Sequence, residues 1–551
     1  MGRLNASISR VVLAALAVVI TVAVFSPALQ NGFVYDDHVQ VLKNPWITDI
    51  RFIPEIFSSS SWAFFGYSGN TYRPMLHIYS MATYFVFGLR PSGWHLVNIL
   101  VHAANAVLVF LTASILIKNR ADDTLPARKG GFAVLAPFFA ALIFSLHPVN
   151  SEPVAWVTAV AELAFTFFLL LSMYLYLRFR EGGGKDAAFY ALSLASFVIA
   201  VFSKETAFAL PALIVASDLS SGRGLKYWLK YWRSYAGYFA VAALYMAART
   251  LVVGALVRDR QIDLSGVELV INVLPLVFQY AKTLAYPSSL SALYELHTIK
   301  TLDAGAAAGI AVIAVFLAAL VVFRRRRAVF LGLIMMGLPL LPVLYIPALS
   351  TSAAADRYMY LPTAGLGIIA AYVFERVFNG NLRRAFTYIV AAIVIIVLSA
   401  YSISSVERAR VWKDDLALWS DTVKKSPGSK YAHYNLALAY QDRGDLDRAI
   451  GEFKEAIKAA PDYEDAHYNL AWCYQQKGDN INAALHYREV LRLDPGSADA
   501  HYNLGLIYRG EFLIDEAVAE FSEALRLRPG YAEAAGALAE ISMTVGGAPA
   551  R

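Results

Sequence analysis

The sequence predicts an all-α protein in two unlike parts, a polytopic membrane helix bundle followed by a solenoid of helical repeats. Three observations carry this. Of 551 residues, 58% are hydrophobic and only 16% charged, and mean hydropathy is positive, as in chains that live in a bilayer. Apolar runs able to span recur up to about residue 404 and then stop. Past that point Tyr434-Asn435-Leu436 returns as Tyr468-Asn469-Leu470 and Tyr502-Asn503-Leu504, at a fixed period of 34 residues.

About eleven runs qualify as spans: 11–29, 94–117, 132–147, 153–177, 187–203, 205–218, 234–256, 304–323, 328–349, 357–377 and 385–404. The first follows Arg3 and Arg10 like a signal peptide, but no small-x-small cleavage site comes after it, so it reads as a retained helix. Basic residues then set the topology. They cluster at Arg3/Arg10, Lys118/Arg120/Arg128/Lys129, Arg178/Arg180/Lys185, Arg223/Lys226/Lys230/Arg233, Arg324 to Arg327, and Arg376/Arg383/Arg384. Eleven spans put all six groups in the cytoplasm. That threading requires a further apolar stretch, 267–287, to stay on the outer side as an interfacial or re-entrant element. The C-terminal tail then lies outside too.

The remaining ionisable residues collect on that outer side. Asp36 and Asp37 open a first outer loop at 30–93, which also holds Tyr72-Arg73-Pro74. His147-Pro148-Val149-Asn150-Ser151-Glu152 forms one turn, Ser203-Lys204-Glu205 another, and Asp356-Arg357-Tyr358 a third. A lone Asp-Asp pair reads as readily as a hydrated acidic turn. Four discontinuous polar groups at the same ends of apolar helices read as a site, because charge there is costly unless solvated or used. Trp46, Phe57, Trp62, Phe64, Phe65 and Tyr67 suit surface-lying helices in the long outer loop, or an ordinary aromatic belt.

Charge is divided unevenly. Residues 413–551 hold 15 Lys and Arg against 22 Asp and Glu, which leaves 33 against 20 in the rest. A basic membrane part with an acidic soluble tail gives no basic run on a soluble fold, so nucleic acid is not an expected partner. Cys473 is the only cysteine, which excludes an intrachain disulfide and a cysteine metal cluster.

The tail's period and its prolines at 427, 461, 495 and 529 match tetratricopeptide repeats. Units fall at 430–463, 464–497 and 498–531, with a capping helix at 532–551 and half a unit in 407–429, where Trp419 takes a large-residue position. Phe512 stands where a turn glycine is usual. His433, His467 and His501 form a ladder that is read as packing rather than as metal ligands. Such an array presents a concave face to an extended peptide, a binding device and not a catalyst.

Taken together, Tyr35-Asp36-Asp37, Tyr72-Arg73-Pro74, His147-Pro148 with Ser151-Glu152, Ala161-Glu162, Ser203-Lys204-Glu205, Tyr280 to Pro287 and Asp356-Arg357 with Tyr360-Leu361-Pro362 resemble a known family. It is the transmembrane and tetratricopeptide repeat-containing O-mannosyltransferases with their bacterial relatives, and more broadly the polytopic lipid-donor glycosyltransferases of the GT-C fold. Residues 1–406 would be the transferase domain. Val160-Ala161-Glu162 lacks the arginine usual in that motif, and Asp356 replaces the more frequent glutamate.

The resemblance implies an inverting transfer of a mannose-like hexose from a polyprenyl-phosphate donor to Ser/Thr hydroxyls of a polypeptide held by the repeats. In that reading Asp36 is the base, and Asp37 orients the acceptor or holds the loop. Arg357, then Lys204 and Arg73, with Lys282 near the head group, meet the phosphate. Glu205, Glu152, Glu162, His147 and Tyr358 bind sugar or acceptor. Tyr280 to Pro287 would wall a groove for the polyprenyl tail. No cofactor or metal is expected with a monophosphate donor. With a diphosphate donor, Asp36, Asp37 and Glu152 would hold a divalent cation. The alternatives are a glycan-, lipid- or oligosaccharide-directed transferase and a non-catalytic repeat scaffold. The expected place is a bacterial inner membrane with the repeats in the periplasm.

Overall fold

A computed structural model describes residues 2–67, 69–118, 132–220, 230–254, 265–295, 298–344, 354–379 and 384–546. Of the residues read above, Arg120, Arg128, Lys129, Arg223, Lys226, Arg383, the ends of spans 234–256 and 328–349, and the last five of the cap lie outside these. All regular structure among the described residues is helical, without a strand. Their contacts divide the chain into two compact units, up to Asp414 and from Asp415 on.

In the first unit, α1 (Gly2–Phe25) leads into the outer loop with its short helices α2 (Asp37–Gln40), α3 (Ile53–Ser58) and α4 (Pro74–Phe87). Then come α5 (Pro91–Lys118), α6 (Phe132–Leu146), the single turn α7 (Ser151–Ala155), α8 (Val160–Glu181), α9 (Ala187–Ser203) and α10 (Ala209–Leu219). The unit closes with α11 (Trp232–Val253), α12 (Gly266–Ala285), α13 (Ala304–Val322), α14 (Arg327–Gly337), α15 (Tyr360–Asn379) and α16 (Arg384–Val411). Among the described residues eight helices are long and apolar enough to cross a membrane, and Leu135–Leu146, Ala187–Ser203 and Arg327–Leu340 are shorter apolar ones. The eight include α12, the stretch assigned above to an outward interfacial element. It is an unbroken helix of 20 residues, started by a Ser265–Glu268 capping box. It is also amphipathic, with Val267 and Val270 exposed and Leu274, Leu276 and Tyr280 buried. The 205–218 run is a short 3₁₀ turn followed by an α-helix of only 11 residues.

Helices α5, α6, α8 and α15 form the centre of the bundle. Lipid is as apolar as leucine, so close approach between helices depends on small residues and polar pairs. A Cβ on Gly365 would lie 2.4 Å from Gly332 O, and one on Gly367 2.6 Å from Ala140 O. Only glycine lets α15 touch α14 and α6 at these points. The two ends of α8 carry different polar chemistry. Glu162 begins it, and 18 residues on, roughly 27 Å along the axis, Arg180 pairs with Asp218 at 3.0 Å. Tyr176 and Tyr235 both donate to the same carboxylate, and Arg327 donates to the adjacent Ser217.

The second unit consists of α17 (Asp415–Lys425) and three helix pairs. These are α18 (Lys430–Asp442) with α19 (Leu446–Ala459), α20 (Glu464–Gln476) with α21 (Asn480–Leu493), and α22 (Ala498–Gly510) with α23 (Ile514–Leu527). Helix α24 (Ala532–Gly546) follows the last pair, and α17 packs on α18. Phe453, Tyr487 and Phe521, one per unit, are fully buried. The histidine ladder does more than fill space. Each ring lies within hydrogen-bond reach of the carbonyl of the preceding turn proline, Pro427, Pro461 or Pro495. His433 and His501 also contact Glu452 and Glu520 at 2.6 Å, whereas His467 meets His486 at 3.1 Å.

Gly444 and Gly478 turn the chain at φ +73° and +76°, followed by Asp445 and Asp479 as N-caps. Phe512 makes the same turn at φ +62° while 87% exposed, and Leu513 after it supplies no side-chain cap. A left-handed non-glycine residue costs about 1–2 kcal/mol. Phe512→Gly should therefore stabilise residues 415–551 by about 1 kcal/mol in thermal unfolding. Burial and the neighbouring His467 push His486 down to about 4, so the unfolded chain binds its proton first as pH falls. The array should lose stability between about pH 6.5 and 4, by on the order of 1 kcal/mol from this ring. His486→Glu, which restores the residue type of the sister units, should remove that loss in melting curves at pH 5 and 7.5.

Candidate functional site

The outer-end polar groups of the first unit do come together. Helix α7 presents Glu152, whose carboxylate accepts Arg357 Nη1 at 2.5 Å and the Arg357 backbone N–H at 3.1 Å. The start of α8 presents Glu162, which pairs with Lys204 at the end of α9. Arg73, just ahead of α4, grips Glu205 through two bonds of 2.7 and 3.0 Å. Glu162, Lys204, Arg357 and Tyr358 line one cavity of ≈ 10 Å³, room for a single water. Tyr358 lies between the two cations, its ring centroid 5.2 Å from Lys204 Nζ and 5.1 Å from Arg357 Cζ. Burial holds Lys204 below the ordinary lysine range, with Glu162 pulling the other way.

The adjacent carboxylates at 36 and 37 differ completely. Asp37 is fully buried, and its two oxygens accept the Val34 N–H at 3.1 Å and the Thr158 N–H at 2.9 Å. Burial pushes its carboxyl up to about 7 despite those bonds. Of the two roles expected for it, the geometry fits the one of holding the loop, not the one of touching an acceptor. Asp36 is only partly buried and begins α2 without a side-chain capping bond. Burial raises its carboxyl to about 6, and the Arg357 charge lowers it. Immediately before it, Tyr35 sits at φ +55°, a left-handed conformation rare for an aromatic residue. Such strain concentrates at functional sites.

Two expected site residues stand elsewhere. His147 is fully buried, its ring within reach of Val149 N and of Leu284 O, and burial brings it down to about 4. It is a neutral hinge for the turn into α7 and offers a sugar nothing. Lys282 is exposed on α12 and is not among the residues lining the cavity. Tyr280, one helical face away, is buried in the cluster with Val149 and Met359 and packs against Tyr358. Sequence reasoning missed Trp156, whose ring lies 5.3 Å from Arg357 Cζ and 5.7 Å from Tyr35. It also missed Tyr294, which donates to Asp356 at 2.5 Å. Neither lies in a charged motif, and an aromatic residue in an apolar context reads as core or belt.

An apolar cleft of ≈ 520 Å³ opens between α4, α5 and α8, lined by Tyr79, Val86, Leu100, Ala104, Ala164 and Phe168 among others. Its hydroxyls are already satisfied: Tyr79 shares a bond with Ser203, and Thr83 donates to Tyr79 O. The residues 280–287 take no part in it. Among the described residues no cluster of three or more His, Cys, Asp or Glu side chains is arranged to hold a metal ion.

Fold and site together define an integral membrane helix bundle with an ionised cluster at one end of its helices and a tetratricopeptide tail. Residues 434–498 and 474–532 match the tetratricopeptide repeat family model. Over most of its length the chain is similar to proteins named protein O-mannosyl-transferase. It is 25% identical to protein O-mannosyl-transferase F38B6.6 of Caenorhabditis elegans, over 76% of this chain and 58% of that protein. It is 22% identical to protein O-mannosyl-transferase TMTC3 of Mus musculus, over 80% and 50%, and 24% identical to TMTC4 of the same organism, over 78% and 64%. The chain thus spans about half to two thirds of the length of the curated relatives it matches. Among solved structures, a MamA protein is 30% identical over 21% of this chain and 64% of that chain, with a TM-score of 0.20.

Asp37→Ala would strand the buried Val34 N–H, at about 1–3 kcal/mol, and the partly buried Thr158 N–H at less. The variant should melt well below wild type in detergent, whereas Asp36→Asn should melt with it.

Proposed function

We propose that this protein is a membrane glycosyltransferase that moves a mannose-like hexose from a polyprenyl-phosphate donor to Ser/Thr hydroxyls of a polypeptide, with inversion. One observation carries the reading. Among the described residues the Asp36 carboxylate makes no ion pair, in a cluster where Glu152, Glu162 and Glu205 each hold a cation, and burial raises its carboxyl to about 6. A general base works best with a pKa near the working pH.

In the proposed step an Asp36 oxygen takes the acceptor hydroxyl proton while that hydroxyl oxygen bonds to the anomeric carbon. The bond from that carbon to the phosphate oxygen breaks, and the phosphate leaves with the electron pair. Arg357 and Lys204, already desolvated and aligned, exchange their carboxylate partners for the phosphate and meet its developing charge. Arg73 with Glu205 stands further out as a second clamp. Glu152 and Glu162, once released, become acceptors for sugar hydroxyls. The apolar cleft beside α8 supports a hydrocarbon-tailed donor, and the repeats raise the local concentration of an acceptor peptide.

The divalent-cation version fits the residues poorly. Asp37 spends both oxygens on backbone N–H groups, and Glu152 is engaged by Arg357, so the three carboxylates are not free as a set. The basic groups near Arg180 at the far end of α8 support a non-cytoplasmic site by the positive-inside rule, and with it a periplasmic array in a bacterial inner membrane.

The experiment is sugar transfer from a panel of polyprenyl-phosphate hexoses to Ser/Thr peptides. Asp36→Asn should lower kcat by about 10²–10⁴, and Arg357→Ala by about 10²–10³. Chelator should change nothing. Because the base acts deprotonated, kcat/KM should rise with pH through about 6 and then level off. A folded Asp36→Asn variant with full activity would overturn the assignment in favour of another base or a scaffold.

A further inference from the structure

Arg357 rests on aromatic support that reaches to the last turn of the membrane unit. Its guanidinium lies 5.3 Å from the centroid of the Trp156 ring. Trp156 in turn stacks on Trp412, at 5.7 Å between centroids and 19° between planes. Trp412 is 1% exposed and Trp156 6%, and neither indole N–H has an acceptor among the described residues. A buried indole usually finds one. Two adjacent unsatisfied donors are costly in an optimised core, and such groups call for an explanation other than packing.

The segment that ends in Trp412 also braces the walls of the site. Asn31 Nδ2 donates to Ala409 O at 2.9 Å, and Gly32 N donates to Lys413 O at 2.9 Å. These bonds fix the extended stretch that leads to Asp36. On the other side Ser405 Oγ donates to Leu146 O at 2.9 Å, and Ser151 Oγ reaches Ser405 O at 3.5 Å. Those contacts hold the turn that carries Glu152. One stretch, 405–413, therefore underlies both the carboxylate and the phosphate clamp.

We infer that Trp412 is a positioning residue for Arg357, acting through Trp156, so that the segment joining the membrane helices to the repeats belongs to the transfer apparatus. This rests on Arg357 being a ligand of the donor phosphate. When the phosphate replaces Glu152, the salt bridge that oriented the guanidinium is gone. The ring face beneath it remains, and a planar cation over an aromatic face keeps its orientation. Trp156 can serve only while Trp412 keeps its ring from turning away. Support of this kind is what holds a binding constellation to a fraction of an ångström.

The test uses the full-length protein in detergent with the transfer assay above. Trp412→Ala should raise the donor KM about tenfold, the scale of a lost cation–π contact, and leave the acceptor KM unchanged. Trp412→Phe, which keeps an aromatic face, should stay within about twofold to threefold of wild type. In the Arg357→Ala background, Trp412→Ala should add nothing, because the two act as one unit. If Trp412→Ala does not fold, Trp412→Leu takes its place with the same expectations. An unchanged donor KM, equal shifts for both substrates, or an undiminished effect without Arg357 would each overturn the inference. If wild type transfers from no donor, the functional reading fails by itself. The mechanical claim is then read from melting temperatures, where the losses from Trp412→Ala and Arg357→Ala should be less than additive, and additivity would sink it.

Discussion

A charge at the end of an apolar helix must be solvated or matched, and this bundle matches its charges by reaching across the fold. Arg357 finds Glu152 205 residues away, Arg73 finds Glu205 across 132, and Lys204 finds Glu162 across 42. Desolvation cancels most of the attraction in such pairs, so each adds little net stability. Losing one partner is another matter, because the survivor stays buried and unpaired. The pairs therefore act as fixed points: α7, α8, α9 and the start of α15 cannot slide without stranding a charge. At the opposite end Arg180 and Asp218, with two tyrosines on the carboxylate, impose the same constraint. A bundle pinned at both ends of α8 has little freedom of register.

This constraint also explains why one carboxylate stands apart. Glu152, Glu162 and Glu205 are used for neutralisation, Asp356 accepts the Tyr294 hydroxyl, and Asp37 shows how completely holding backbone removes a group from solvent. Asp36 is carried past that position by one residue of strained backbone at Tyr35. Its carboxyl sits in low dielectric near Arg357 but outside the Arg357–Glu152 pair. It remains available and weakly acidic, which is the state a proton acceptor needs.

Much of this was legible beforehand, and the boundary of legibility is physical. The repeat array was, because each unit solves its packing locally and writes the solution at a 34-residue period. Even its exception at Phe512 shows in the sequence, since a turn that demands positive φ makes any residue but glycine conspicuous. The outer cluster was legible because charged motifs between apolar runs have few other places to be. The split between Asp36 and Asp37 was not. It turns on which of two neighbours faces the Thr158 N–H, and 121 residues separate that donor from Asp37. The place of Lys282 was not legible either, because it depends on an amphipathic helix that turns it to the exposed face, opposite the buried Tyr280. His147 resembled a ligand, and only the fold reveals the Leu284 carbonyl beside its ring. Trp156 and Trp412, 256 positions apart, carry no motif at all.

The two units obey different rules, and the difference bears on chemistry. In the repeats, water drives small and large residues together and leaves the surface free to bind. In the membrane no such force acts between helices, so polar pairs and close glycine contacts have to specify the packing. The cations proposed to meet the donor phosphate are the same ones that hold α7, α8 and α9 in place. On that proposal, binding the donor exchanges a structural partner for a substrate, and the charge pairs no longer fix the register while it is bound. A group that supports Arg357 without being exchanged keeps the clamp in register through that moment. The ring of Trp156 is placed to be that group, and Trp412, which backs it, stands in the stretch of chain that leads into the repeats.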